Sequence, residues 1–256
     1  MIKFHFTFDK NKKSQNLKKK LLKNYKNNSP KISDVIIVAG GDGFMLHTLK
    51  KYVKYKKPFY GINCGTYGFL MNRYTSENLE RKISKAKKTV INPLKINTSN
   101  NNVYKKSLIA FNEISLFRQT KQTASLKLEI GKKILIKKLI GDGVLISTPA
   151  GSTAYNLSVH GPILSLNSGK LAVTPISPFR PRRWKGKIVS DKVLIKLTNL
   201  DPKKRPVAAV ADNIEIRNIK TINIKVSKNI NLSLLHDPDR SLVKRIKIEQ
   251  LRRNFN

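Results

Sequence analysis

An aspartate set among glycines at the end of an apolar run is the first place in this chain where residue types and spacing suggest chemistry: Val35-Ile36-Ile37-Val38-Ala39-Gly40-Gly41-Asp42-Gly43-Phe44-Met45-Leu46. Gly40, Gly41 and Gly43 carry no Cβ, so the backbone there can turn sharply and approach a ligand closely, and Asp42 is the only ionisable side chain in the turn. A phosphate-bearing ligand suits such a turn, with proton chemistry falling to Asp42. A structural strand-to-helix turn accounts for the glycines equally well.

A second glycine-rich turn, Cys64-Gly65-Thr66-Tyr67-Gly68-Phe69-Leu70, follows the strand-like Pro58 to Asn63. In open parallel sheets ligands sit at the carboxyl ends of strands, where both turns are expected. Further on, Asn112 and Glu113 put an amide next to a carboxylate in a strand-like context. Neighbours in a strand face opposite sides, so one of the two should point inward, and it is either satisfied by backbone or binds hydroxyl groups. The longest unusual string is Gly141-Asp142-Gly143-Val144-Leu145-Ile146-Ser147-Thr148-Pro149-Ala150-Gly151-Ser152-Thr153-Ala154-Tyr155-Asn156-Leu157-Ser158. A strand stops at Pro149, and Gly151 and Ser152 turn into a helix with hydroxyls in its first residues. Free backbone N–H groups, small side chains and Tyr155 as a stacking surface suit a flat heteroaromatic ring. A capped structural helix explains Ser152 but not the whole string.

The elements that must position these residues fall into two textures. Ile2 to Phe6 alternates as a first strand, residues 14 to 26 read as a basic helix, and Asn27 to Pro30 breaks it. Val35 to Ala39 is β-branched and uninterrupted, as a strand buried on both faces should be, and an amphipathic helix follows from about Phe44 to Val53. A polar helix from about Ser76 to Ala86 precedes Lys87 to Pro93, read as the exit from an α/β domain with a parallel sheet. From Leu94 short alternating segments take over: 108–116, 125–130, 133–139, 144–148, 193–197, 214–216, 222–226 and 230–235. They indicate an antiparallel, sandwich-like domain interrupted by one helix near Thr153 to Val159, with Asn97 to Asn102 as a turn. The terminal Ser241 to Arg253 reads as a closing basic helix with Leu242, Ile246 and Leu251 available to pack. The expected division is 1–92 with 239–256, and 93–238.

Lys and Arg number 52 against 15 Asp and Glu, a formal charge of +37, and basic clusters run through nearly every segment together with Asn and Ile. That scatter looks like a compositional bias of the surface, with a field that collects anionic substrate as the second reading. The single cysteine, Cys64, excludes an intrachain disulfide and a multi-cysteine zinc site. No run approaches a membrane span and the N-terminus lacks a signal peptide's apolar core, so a cytosolic protein is expected.

Gly40-Gly41-Asp42-Gly43, Asn63 to Leu70, Asn112-Glu113 and Asp142 to Ser158, in this order and at these separations, resemble the NAD kinase family of bacterial type over about residues 35 to 240. The string Thr148 to Tyr155 is the most specific part. The resemblance implies transfer of the ATP γ-phosphate to the 2′-hydroxyl of the adenosine ribose of NAD, with a divalent metal such as magnesium. It also implies a Rossmann-like α/β domain, a β-rich second domain whose chain end returns to the first, and a homodimer or homotetramer that binds neither nucleic acid nor membrane.

On that resemblance Asp42 is the general base, Gly41 and Gly43 admit phosphates, and Asn112 and Glu113 hold ribose hydroxyls. Asp142, Ala150, Thr153, Ala154, Tyr155 and Ser158 surround the bases, with Asn156 and Leu157 of the same string also at the cofactor. Asp212 matches a later family acid, and His47 falls where a basic side chain often reaches toward the dinucleotide, its other reading being a half-exposed helix histidine. Phe44 replaces a common threonine, and Ile140 stands where some members carry a basic residue. The stiff basic loop Ser177 to Trp184 suits either phosphate or a neighbouring subunit. Lipid kinases of the diacylglycerol type share the first glycine motif but are not expected to carry the Thr148 to Ser158 string. A basic nucleic-acid-binding protein calls for a stripe of interleaved aromatics, and here the aromatics sit mostly within apolar runs.

Overall fold

The structure is a computed structural model that describes residues 2–66, 68–99, 107–240 and 242–252. It divides into two compact units, one made of Met1–Ile91 and Asn229–Ile248, the other of Asn92–Lys228 and Glu249–Asn256.

In the first unit the chain runs β1 (Phe4–Phe8), α1 (Lys12–Asn24), β2 (Val35–Gly40), α2 (Asp42–Tyr52), β3 (Phe59–Asn63), α3 (Leu79–Lys85) and β4 (Lys87–Ile91). Strand β2 lies between β1 and β3, parallel to both, and every one of its residues is buried. Two-sided burial explains its uninterrupted apolar sequence. Val35, Ile37 and Ala39 share a core with Leu17 and Leu21 of α1 and Leu79 and Ile83 of α3. On β3, a Cβ at Gly61 would lie 2.6 Å from Met45 of α2 and 2.5 Å from Met71, so glycine lets these methionines pack onto the sheet. Lys87 to Ile91, expected as a domain exit, is an edge strand of this sheet.

The second unit contains β5 (Leu94–Ser99), β6 (Ser107–Ala110), β7 (Glu113–Arg118), β8 (Ala124–Ile130), β9 (Lys133–Gly141), β10 (Gly143–Ser147), α4 (Tyr155–Ser158), β11 (Lys170–Ile176), β12 (Lys187–Ser190), β13 (Ile195–Asn199), β14 (Val207–Ala211), β15 (Ile214–Ile216) and β16 (Thr221–Val226). They form two six-stranded sheets, ordered β12-β11-β10-β7-β14-β15 and β6-β5-β16-β13-β8-β9. Alternate residues of both sheets, among them Ile114 and Leu116, Val144 and Ile146, Leu126 and Leu128, and Ile222 and Ile224, fill one shared core. This is the period-two pattern of strands with one face inward. The expected strand 108–116 is broken in two at Phe111 and Asn112, and Asn97 lies inside β5 rather than in a turn; residues 100–102 of that patch fall outside the described residues.

The chain then re-enters the first sheet as β17 (Leu232–His236), parallel to β3 and antiparallel to β4, giving the order β1-β2-β3-β17-β4. Residues 230–235 were expected among the antiparallel strands of the second domain, so this corrects their placement. The closing helix is α5 (Leu242–Arg252), with Ser241 and Arg253 of the expected segment outside the described residues.

Candidate functional site

In the first unit the two glycine turns meet at Asp42. Gly41 is the N-cap of α2 and makes no side-chain cap bond, so the aspartate opens the helix at its positive end. Its carboxylate accepts hydrogen bonds from two successive backbone N–H groups of the second turn, Phe69 at 2.6 Å to Oδ2 and Leu70 at 2.9 Å to Oδ1. Burial raises the Asp42 pKa above the usual carboxylate value, while these two bonds and the Arg245 guanidinium pull against that rise. Cys64 N–H donates to Gly40 at 2.8 Å, and a Cβ at Gly68 would lie 2.9 Å from the Asn63 side chain, so both turns are tied to the strand ends. Tyr67, part of the expected motif, lies outside the described residues.

The three glycines beside Asp42 differ in kind. A Cβ at Gly40 would sit 2.6 Å from the Phe44 ring, so this glycine answers to internal packing. At Gly41 and Gly43 a Cβ would meet nothing within 4 Å, and neither residue needs a left-handed backbone. The chain's own packing therefore does not demand glycine there, whereas close approach of a ligand would. His47 is exposed on α2. A cavity of about 400 Å³ elsewhere in this unit, lined by residues such as Tyr25, Tyr60 and Arg73, includes none of the expected site residues.

In the second unit Asp212 organises the turn that carries Asn112 and Glu113. It adopts a left-handed conformation (φ 53°), and its carboxylate accepts from the N–H groups of Phe111 and Asn112, both at 2.9 Å. The Asn112 carbonyl accepts from Thr148 N–H at 2.9 Å, and Thr148 Oγ1 accepts from Gly151 N–H at 3.0 Å. A Cβ at Gly151 would fall 2.2 Å from the Asn112 carbonyl oxygen, so the glycine allows the string to lie directly on this turn. Glu113, Ser115, Phe117, Tyr155, Val210 and Asp212 line a cavity of about 230 Å³. Tyr155 is 39% exposed, and partial burial together with the nearby carboxylates of Asp142 and Glu113 raises its hydroxyl pKa. Arg118, unremarkable in the sequence, donates from Nε to Asp142 at 2.5 Å. The register of β7 against β10, Phe117 opposite Gly143, brings that pair together, and no local sequence signal reports it.

Other members of the string are placed differently from expectation. Asn156 is fully enclosed: its amide donates to the carbonyls of Ser152 and Pro162, and its oxygen accepts from Thr174 Oγ1 at 2.7 Å. Its side-chain polar groups are thus engaged within the fold. Ser152 does not cap the helix; it donates to the Pro149 carbonyl and accepts from Leu164 N–H, and the N-cap of the four-residue α4 is Ala154. Ala150 is buried, Thr153, Ala154 and Leu157 are half-buried, and exposed Ser158 lines a separate cavity with His160, Arg183 and Lys185.

Among the described residues no three His, Cys, Asp or Glu side chains gather into a metal site, and no helix is long and apolar enough to cross a membrane.

Residues 2–89 match the model of the ATP-NAD kinase N-terminal domain and residues 111–238 that of the ATP-NAD kinase C-terminal domain. The chain is 46% identical over 226 residues to an NAD kinase of Rhizobium meliloti (strain 1021), covering 88% of each chain. It is 48% identical over 222 residues to an NAD kinase of Zymomonas mobilis subsp. mobilis, covering 86% of each. Among solved structures it resembles, with a TM-score of 0.75, an Archaeoglobus fulgidus NAD kinase in complex with ATP; identity is 22%, covering 96% of this chain and 99% of that one. Yeast NADH kinase complexed with NADH gives the same TM-score at 24% identity, covering 86% of this chain and 66% of that one. With both of its domains matched and relatives of this identity along most of its length, the chain belongs to the NAD kinase family.

Proposed function

We propose that this protein is an NAD kinase that transfers the γ-phosphate of ATP to the 2′-hydroxyl of the adenosine ribose of NAD, giving NADP. The observation that carries the mechanism is the Asp42 carboxylate, fixed by two backbone N–H groups at the head of α2 beside the open space at Gly41 and Gly43. Phosphoryl transfer needs positioning, charge neutralisation and a proton acceptor for the attacking hydroxyl. Asp42 takes that proton, and the first-turn N–H groups of α2 face the phosphates. A raised pKa suits this task, since a carboxylate closer in basicity to neutral pH is the better acceptor while still ionised.

Asn112 and Glu113, held by Asp212 and the Thr148 to Gly151 loop, take the ribose hydroxyls. Asp142, Thr153, Ala154 and Tyr155 surround the bases, with Tyr155 offering a ring face at the cavity rim. Magnesium bound with the nucleotide would take phosphate oxygens and water as ligands, as it commonly does where a protein supplies few, and would neutralise phosphate charge. Cytoplasmic location and assembly as a homodimer or homotetramer belong to the same reading, the latter open to size-exclusion chromatography with light scattering. Incubation with NAD, ATP and magnesium should produce NADP; no NADP from the folded protein would overturn the proposal.

A further inference from the structure

The residue behind Asp42 is Arg245 on α5, and the two are joined through backbone. The Arg245 guanidinium donates from Nη1 to the carbonyl oxygens of Gly68, at 3.3 Å, and Phe69. The N–H groups of Phe69 and Leu70 hold the Asp42 carboxylate. The peptide linking Gly68 to Phe69 therefore accepts from the guanidinium at one end and donates to the carboxylate at the other, and the peptide linking Phe69 to Leu70 does the same. Each peptide dipole has its negative end on a cation and its positive end on an anion, the arrangement in which hydrogen bonds polarise one another.

We propose that Arg245 is a positioning residue for phosphoryl transfer, which orients and charges the second glycine turn so that its two N–H groups hold the Asp42 carboxylate ionised and aimed. This rests on Asp42 being the base. Arg245 is half-buried, and Nε and Nη2 have no hydrogen-bond partner among the described residues, so the chain spends a cation here for little structural return. Burial and Arg240 lower its pKa to about 10, while Asp42, Asp237 and Asp239 oppose the change, so it stays protonated at neutral pH. His236 on β17, also beside Arg245, is uncharged there because burial and the guanidinium lower its pKa to about 4. Of these groups, Arg245 is the one whose charge acts on Asp42.

The test is a double-mutant cycle with Arg245→Met, which keeps much of the stem and removes the charged head, in the wild-type and Asp42→Asn backgrounds. Alone, Arg245→Met should lower kcat by about 10²-fold with KM for NAD little changed, as expected when a catalytic group is misplaced. The acid limb of its kcat profile should move to higher pH, because the carboxylate loses a cation that favours its charged form. In the Asp42→Asn background the same substitution should have almost no further effect on kcat, because its route of action is gone. Arg245→Lys, able to satisfy part of the contact, should recover part of the rate. An undiminished fall in kcat in the Asp42→Asn background would assign Arg245 to substrate phosphate or to the fold, and overturn the proposal. Wild-type kcat and pH profile in Arg245→Met, with Asp42→Asn inactive, would overturn it and leave the base intact, whereas full activity in Asp42→Asn would overturn the base itself. Should Arg245→Met fail to fold, Arg245→Gln takes its place in the cycle and the same outcomes decide.

Discussion

Asp42 and Asp212 are gripped in the same way. Each carboxylate accepts from successive backbone N–H groups, Phe69 and Leu70 for the first, Phe111, Asn112 and, at 3.4 Å, Glu113 for the second. Their surroundings differ. Asp42 opens an eleven-residue helix beside two glycines that face open space, with a guanidinium on the far side of its peptides. Asp212 sits in a left-handed turn between β14 and β15 and fastens the bend from which Asn112 and Glu113 extend. On the proposed function, the same local hydrogen bonds would serve a reacting group in one unit and a scaffold in the other. The neighbours decide which.

The comparison breaks most sharply under substitution. Asp42→Asn should lower kcat by at least about 10²-fold. Asp212→Ala leaves backbone donors without their charged acceptor, and should cost about 2 kcal/mol in urea unfolding together with a higher KM for NAD. If Asp212→Ala were as stable as wild type, the scaffold role would be wrong.

The glycines sharpen the same contrast. Gly151→Ala drives a Cβ into the Asn112 carbonyl and should destabilise by roughly 3 kcal/mol, seen as a lower Tm. Gly43→Ala meets no protein atom and replaces a poor helix former in α2, so it should stabilise by up to about 1 kcal/mol while raising KM for ATP several-fold. An unchanged KM would remove the argument that the space beside Gly43 belongs to the nucleotide.

A pH-dependent effect concerns acid stability of the first unit. His236 is completely buried and neither ring nitrogen has a hydrogen-bond partner among the described residues, so its pKa falls from 6.5 to about 4. Between those values the unfolded chain binds the proton and the folded one does not, so the stability present above the unfolded pKa is lost as pH falls toward the folded one. The loss is on the order of 3 kcal/mol, and His236→Asn should flatten that limb of a Tm against pH curve. Smallest of all, kcat/KM should change less than about threefold over a tenfold rise in ionic strength, since the +37 charge is spread along the chain rather than gathered. A steep fall would show that the basic field steers substrate.

Much of this was readable from residues alone, for physical reasons. Two-sided burial gave β2 its uninterrupted apolar run, and inward alternation marked β13 and β16. Strands β11 and β14, Lys-Leu-Ala-Val-Thr-Pro-Ile and Val-Ala-Ala-Val-Ala, were missed because alanine and proline have little strand preference of their own. Strand β17 was recognised but put in the wrong sheet: alternation reports which face is buried, and says nothing of whether the partner is β4 or a strand of the second unit. Ser152 looked like an N-cap because a hydroxyl before a helix usually is one, and a tertiary bond to Leu164 overrode that preference. Arg118 and Arg245 stand among 52 basic residues, and only their three-dimensional partners, Asp142 and the Gly68 to Phe69 carbonyls, set them apart.

The proposed mechanism stands on Asp42 receiving the proton of the 2′-hydroxyl. Its most direct test is single-turnover NADP formation by Asp42→Asn and wild type, both saturated with NAD and ATP and followed from acid to neutral pH, with NAD affinity measured alongside. The expected result is unchanged NAD binding, a rate lowered by at least about 10²-fold, and loss of the acid limb that the wild type shows. Equal rates with the limb intact would contradict the account.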